Sequence, residues 1–128
     1  RLISLKGLNK FFKFIRYINR DSYTILSNLD ISISLTKDFE GFGYSIAESL
    51  FVKTPVISTN VGGVSEFLSN DIANLIKPND RLAVTELLKD FLKNKKKWSK
   101  KALLGKRVIV SKFNSERMSK EFLKNFNS

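Results

Sequence analysis

The residues best suited to chemistry lie between Glu40 and Glu48, two glutamates eight positions apart that enclose Gly41 and Gly43. This stretch follows a predicted strand and opens a predicted helix, and ligands of open α/β sheets bind at that edge. Because the two glycines have no Cβ, a ligand can approach the backbone closely. The N–H groups of residues 42–44 at the helix start, together with the helix dipole, suit a pyrophosphate.

The two glutamates suit the hydroxyl groups of a nucleotide-linked sugar. Glu48 lies about 7 to 8 Å beyond Gly43 along a helix axis, roughly the distance from a diphosphate to its ribose. A carboxylate there can accept hydrogen bonds from two vicinal hydroxyls. Glu40 precedes the helix and can accept them from a sugar on the same phosphate. Two glutamates at this spacing also occur by chance, which leaves a purely structural role open. The apolar neighbours of Glu48 predict burial, and a buried carboxylate needs partners.

The elements that must position this stretch alternate between helices and strands. Alternation of this kind predicts an α/β fold with a Rossmann-like parallel sheet and helices on both faces. Residues 2–5 are predicted to form a further strand, and residues 95–112 and 114–126 two basic helices. Between them, strands are predicted at 30–35, 54–59 and 73–76. Helices are predicted at 21–29, 44–52 and 65–68, and a further helix, capped by Asp80, runs to about Phe91.

Composition removes several classes of chemistry. The 128 residues include no Cys and no His, which excludes disulfides, thiolate zinc sites, a thiol nucleophile and an imidazole base. No Asp-x-Asp motif occurs, so we expect neither a metal-held diphosphate nor another cofactor. No apolar run approaches the ~20 residues that span a bilayer, and no signal peptide opens the chain. The expected location is cytoplasmic, with peripheral contact at the inner membrane face as an alternative.

The net charge of +11 is concentrated at the two ends of the chain. Residues 93–101 hold six lysines around Trp98. One interpretation is contact with an anionic membrane, where each cation gains about 1 kcal/mol; the favoured one is a helix with Trp98 on the core and its lysines in water. The charge and the 15 aromatic residues also suit a basic nucleic-acid-binding module. A non-catalytic interaction module built on the same sheet is a further alternative. Because residues 21–88 are acidic and no nucleic-acid-binding signature is present, we expect no nucleic acid partner.

Beyond these physical arguments, the segment from Glu40 to Glu48 resembles the E-x7-E motif of retaining GT-B glycosyltransferases, notably family 4. Several ordered motifs are more specific than any one of them. The resemblance covers about residues 21 to 126. Its further matches are a strand entry at 29–33, a strand at 54–57, a glycine-containing turn at 61–66 and a segment at 75–80.

The resemblance implies a fold of two Rossmann-like domains facing a cleft. Residues 1–128 would form part of the C-terminal domain, which binds a nucleotide-sugar donor for hexosyl transfer with retention in glycan biosynthesis. The acceptor, a sugar or a lipid-linked glycan, would bind the absent N-terminal domain. The family's upstream Arg and Lys, which neutralise the diphosphate, have no recognisable counterpart in Arg1 or Lys6. The isolated chain is therefore expected to bind donor weakly and to transfer no sugar.

Carried over residue by residue, the resemblance assigns Glu40 and Glu48 as the candidate catalytic residues. Glu48 would bind the ribose hydroxyls and Glu40 the donor sugar. Backbone amides of Phe42, Gly43 and Tyr44 would hold the sugar and the diphosphate, beside Gly41.

The resemblance also suggests roles for positions outside these residues. Ser45 would either add a hydroxyl at the donor site or cap the helix, and Gly62 and Gly63 would shape the sheet edge. The family has Gly where Lys53 and Asn74 stand. Lys53 would be strained at positive φ, whereas Asn tolerates a left-handed backbone well. Phe122 and Phe126 are predicted to pack across the domain junction.

Overall fold

The computed structural model describes residues 2–15 and 22–114. Arg1, Asp21 and most of the predicted helix at 114–126, with Phe122 and Phe126, lie outside this part. The elements in chain order are α1 (Leu2–Leu5), a 3-10 turn (Asn9–Phe11), α2 (Ser22–Ser27), β1 (Ser32–Ser34), α3 (Tyr44–Phe51), β2 (Val56–Thr59), α4 (Val64–Phe67), β3 (Asn74–Ile76), α5 (Arg81–Lys93) and α6 (Lys95–Lys112).

The predicted alternation is confirmed from α2 to α6, and the prediction of a strand at residues 2–5 is wrong. That segment is helical because its backbone bonds locally. The Gly7 N–H donates to Ser4 O at 3.1 Å and the Leu8 N–H to Ile3 O at 3.0 Å. Apolar residues alone do not make a strand, which needs a partner for its backbone groups.

The sheet is parallel, with the strand order β1-β2-β3. Ser32 pairs with Val56 and Ile57 pairs with Asn74, so β2 is the central strand. All four residues of β2 are buried. A run buried on both sides is what a parallel strand covered by helices requires. The carboxyl ends of all three strands therefore meet at one edge.

Helices cover both faces of the sheet, as predicted. Successive residues of a strand point to opposite faces. Val56 belongs to a core cluster with Ile46 and Leu50 of α3, whereas Ile57 belongs to a second cluster with Phe91 of α5. Each face of β2 thus has its own hydrophobic core.

Helix α6 contributes to both cores. Its Trp98 is 2% exposed in the second cluster, and its Ile109 belongs to the first. Between them, Gly105 lies so close to α3 that an added Cβ would be 2.8 Å from Leu50 Cδ2. Lys101 Nζ donates to Ala73 O at 3.1 Å, and burial lowers the pKa of Lys101.

The indole of Trp98 is fixed by a carboxylate. Trp98 Nε1 donates to Asp90 Oδ2 at 2.8 Å, and Lys97 Nζ donates to the same oxygen at 3.1 Å. Bonds from Trp98, Asn94 and Lys97 lower the pKa of Asp90 from 3.8 to about 2. The interpretation that packs Trp98 onto the core is confirmed. Lys93, Lys95, Lys96, Lys97 and Lys100 are exposed.

The helix ends follow local rules. Asp80 caps α5 by accepting a hydrogen bond from the Ala83 N–H at 2.9 Å. Lys53, just past α3, has a φ of 67°, so the predicted left-handed strain is present. Asn74 lies in β3 and does not use the left-handed tolerance expected of it; Asn79 is the asparagine at positive φ, 64°. Among the described residues, no helix is both long and apolar enough to span a membrane.

Candidate functional site

The backbone at residues 41–45, here called the amide corner, presents a series of unbonded donors. Gly43 is the N-cap of α3, with φ 74° and ψ 53°. Its carbonyl accepts hydrogen bonds from the N–H groups of Ile46 and Ala47 at 2.9 and 3.1 Å. The N–H groups of residues 41–45 find no acceptor within the described part of the chain. Those of Tyr44 and Ser45 belong to the first turn of α3, where free N–H groups and the helix dipole together favour an anion.

Ser45 lies inside the first turn of α3, and its side chain is exposed. Since the N-cap position belongs to Gly43, the alternative that Ser45 caps the helix is wrong. A hydroxyl contribution to the donor site remains a prediction for this residue.

The two glycines of the corner differ in why they are needed. The left-handed φ of Gly43 favours glycine, and an added Cβ would lie 3.0 Å from Ile46 Cδ1. A Cβ on Gly41 would meet nothing within 4 Å. The space beside the Cα of Gly41 is therefore open.

Phe42 anchors the corner to the core. Its ring stacks on Phe67 of α4 with centroids 4.7 Å apart, and it meets Phe113 edge-on at 5.0 Å. Aromatic pairs at such distances contribute about 0.5–1.5 kcal/mol beyond their area burial. The side chain of Phe42 thus faces inward, while the N–H groups of the corner remain unbonded.

The turn after β2, which contains Gly62 and Gly63, packs against the backbone of Glu40 and Gly41. The Gly63 N–H donates to Glu40 O at 2.9 Å. A Cβ added to Gly62 would collide with Glu40 O, and one added to Gly63 would collide with Gly41 O. Both positions are therefore limited to glycine by the close approach of two backbones. This agrees with the structural role predicted for the pair.

Glu40 is half-buried, and its carboxylate is bonded on one side. Glu40 Oε2 accepts a hydrogen bond from Thr36 Oγ1 at 3.1 Å. The carbonyl of Thr36 in turn accepts one from Thr59 Oγ1 at 2.7 Å. Sequence reasoning missed both threonines. Their position at the carboxyl ends of two adjacent parallel strands, where ligands bind, was the signal that could have found them.

Glu48 lies on the outward side of α3 and is half-buried, so the prediction that it is buried is wrong in degree. The 100° step of a helix directs Ile46 and Leu50 to the core and turns Glu48 toward α2 and α6. Among the described residues, no side chain bonds its carboxylate. It lines a groove of about 440 Å³, here called the aromatic groove, together with Tyr23, Phe42, Tyr44, Ala47, Phe51, Ile109 and Phe113.

The carboxyl edge of the sheet holds a second, smaller cavity of about 190 Å³. Thr36 and Thr59 line it, together with the charged residues Lys37, Asp80 and Arg81. Polar groups that follow all three strands thus gather at the edge where the amide corner also lies, as expected for the ligand edge of a parallel sheet.

With this geometry established, comparison with known proteins identifies relatives. Residues 1–102 match the family model described as "Glycosyl transferases group 1". Over 91 residues the chain is 33% identical to a probable sucrose-phosphate synthase of Thermosipho melanesiensis, covering 70% of the chain and 20% of that protein. Over 100 residues it is 28% identical to the alpha-1,3/1,6-mannosyltransferase ALG2 of Rhizomucor pusillus, covering 78% and 22%. The chain therefore spans about a fifth of the length of these relatives.

Among solved structures, the chain is similar to Anabaena Alr3699/HepE in complex with UDP-glucose, with a TM-score of 0.89. The match covers 98% of this chain and 34% of the other, at 17% sequence identity. A likeness at this identity concerns the fold alone. It confirms the predicted α/β fold, a parallel sheet between helices that corresponds to the C-terminal half of a GT-B fold.

Proposed function

Because the chain belongs to the group 1 glycosyl transferases, we propose that it is the donor-binding part of an enzyme that transfers a hexose from a nucleotide-sugar to an acceptor. Residues 1–128 then form part of a C-terminal domain. The acceptor, a sugar or a lipid-linked glycan, binds a separate N-terminal domain. The small share of each relative that the chain covers supports this division.

The observation that carries the proposal is the amide corner beside Glu48. The N–H groups of residues 41–45 have no acceptor within the described residues, and the positive end of the α3 dipole adds to them. A nucleoside diphosphate supplies the negative oxygens that such donors require. Charge develops on the diphosphate as it leaves the sugar, and preorganised donors stabilise that charge.

Glu48 is proposed to bind the ribose. It lies about 7 to 8 Å along α3 from Gly43, which matches the step from the diphosphate to the ribose. Its carboxylate faces the aromatic groove and has no hydrogen-bond partner in the described part of the chain. An ionised carboxylate has lone pairs for two vicinal hydroxyls at once.

Glu40 is proposed to contact the donor sugar. It stands immediately before the amide corner, so that a sugar on the distal phosphate comes within its reach. The segment from Glu40 to Glu48 resembles the E-x7-E motif. This resemblance further supports transfer with retention, as in family 4. In this proposal the two carboxylates bind hydroxyls, while the amide corner stabilises the leaving group.

The proposal is tested by three variants of the intact protein, assayed for release of nucleoside diphosphate from UDP-glucose and other nucleotide-sugars. Glu48→Gln should raise the donor KM about tenfold or more, because it weakens hydrogen bonds that a charged group makes. Glu40→Gln should chiefly lower kcat. Glu86→Gln, an exposed carboxylate paired with Lys89 on α5, is the matched control. Wild-type kinetics in both site variants would remove the site assignment.

The isolated chain supplies a separate test. It should bind UDP-glucose weakly and transfer no sugar, because the acceptor site and the upstream cations belong to other parts of the proposed enzyme. Isothermal titration and a product assay measure the two properties. Sugar transfer by the purified chain alone would contradict the proposed division.

A peripheral contact with an anionic membrane is a second candidate interaction, favoured by the exposed lysines at the junction of α5 and α6. Because Trp98 is buried, it is not available as an anchor, and the contact would be electrostatic. Flotation with vesicles containing phosphatidylserine at low and physiological salt tests this. If the protein does not bind these vesicles at low salt, the proposed membrane contact is wrong. The cytoplasmic location and the lack of a nucleic acid partner stay predictions.

A further inference from the structure

Two threonine hydroxyls connect the central strand of the sheet to the carboxylate of Glu40. Thr59, the last residue of β2, is 3% exposed and donates from Oγ1 to Thr36 O at 2.7 Å. Thr36, just beyond β1, donates from its own Oγ1 to Glu40 Oε2 at 3.1 Å. Because an ionised carboxylate only accepts hydrogen bonds, the direction of the second bond is fixed. This series is called the threonine chain below.

The threonine chain begins at a rigid part of the fold. Thr59 lies in β2, which is paired on both sides, and the register places it opposite Ile76 of β3. The Gly63 N–H, four residues further along, bonds the carbonyl of Glu40 at 2.9 Å. The end of β2 and the turn after it therefore hold Glu40 at both its carbonyl and its carboxylate.

The two glutamates of the site are supported differently. Glu48 has no hydrogen-bond partner for its carboxylate among the described residues, whereas Glu40 has one oxygen bonded and the other unbonded within the same part of the chain. A bond to Oε2 alone restricts the rotation of the carboxyl group and leaves Oε1 free to accept from a ligand. Fixed geometry of this kind is what lowers a reaction barrier through orientation.

We propose that Thr36 and Thr59 are positioning residues, which aim the Glu40 carboxylate at a hydroxyl of the donor sugar. The inference rests on the proposed role of Glu40. Thr36 acts directly on the carboxylate, and Thr59 acts through the backbone of Thr36. Neither threonine needs to touch the donor.

The test compares Thr36→Val, which keeps the shape and removes the hydroxyl, with Thr36→Ser, which restores the hydroxyl. In the intact protein, Thr36→Val should lower kcat about tenfold to a hundredfold, the range for one hydrogen bond to a charged group. The donor KM should change by less than about threefold, because the bond orients Glu40 and leaves the amide corner and Glu48 unchanged. Thr36→Ser should return kcat to within about threefold of wild type. Thr59→Val should lower kcat in the same direction.

The matched control is Thr85→Val, at an exposed threonine of α5 whose hydroxyl bonds Arg81 O. Melting temperatures of all variants separate orientation from folding. If Thr36→Val has wild-type kcat while Glu40→Gln is impaired, the inference is overturned and the proposed function stands. If Glu40→Gln is also unimpaired, the role of Glu40 fails and the inference fails with it. Equal losses of kcat in Thr36→Val and Thr36→Ser, together with lowered melting temperatures, would show a structural role for Thr36 and would also overturn the inference.

Discussion

Replacing Gly63 with alanine tests the close contact that holds the amide corner in place. The backbone of Gly63 lies in the right-handed helical region, at φ −69° and ψ −5°, so alanine meets no backbone strain there. The added Cβ would instead collide with Gly41 O. Gly41→Ala is the matched control on the other backbone segment of this contact, because its Cβ would meet nothing within 4 Å.

The expected change in the free energy of unfolding follows from the contacts around Gly63 and Gly41. Ordinary contact at Gly63→Ala requires the backbones to separate by about 1 Å. Overpacking of this kind costs about 1–3 kcal/mol. The hydrogen bond from Gly63 N–H to Glu40 O, worth about 0.5–1.5 kcal/mol net, is weakened by the same movement. Gly41→Ala should instead stabilise the chain by about 0.4–1 kcal/mol, because alanine reduces the entropy of the unfolded state.

Urea denaturation followed by circular dichroism measures both variants. Gly63→Ala should be less stable than Gly41→Ala by roughly 1.5 to 4 kcal/mol. In the intact protein it should also lower turnover on the order of a hundredfold, since a displacement of about 1 Å at a site can have that effect. Equal stability of the two alanine variants would refute the claim that backbone contact restricts Gly63.

Three further predictions concern the scaffold. The hydrogen bonds that lower the pKa of Asp90 stabilise the fold above about pH 3.8, and this contribution should be lost as the pH falls toward 2. In an acid titration of stability, Asp90→Asn should therefore lack this part of the loss that the wild type shows. Superimposable curves of stability against pH for the two proteins would contradict the prediction. Lys53→Gly should raise stability by about 1 kcal/mol, because glycine relieves the left-handed φ of 67°; a lower midpoint in urea would show that the strain is absent. Gly105→Ala should lower stability by about 1 kcal/mol, since the clash with Leu50 outweighs the gain in helix propensity; thermal melts check this, and a higher melting temperature would exclude the clash.

Much of the scaffold followed from local patterns. The proline at the start of the predicted strand at 54–59, the Asp80 cap of α5 and the glycines before α3 are signals within a few residues of the elements they define. They were enough to predict the alternation of strands and helices, and with it the edge at which a ligand would bind. Residues 2–5 were assigned wrongly because short apolar segments form a helix or a strand according to which partners their backbone finds.

The candidate site likewise combines features that local patterns predict with features that depend on distant residues. The residue pattern alone was enough to predict Glu40 and Glu48, the N–H groups between them and their place at a strand-to-helix transition, because each depends on neighbours in the chain. That Thr59 and Gly63 hold Glu40, and that Glu48 faces a groove between three helices, became visible in the folded chain. Such contacts join residues about twenty or more positions apart. They arise when separate strands and helices pack together, and no local pattern of residue types encodes that packing.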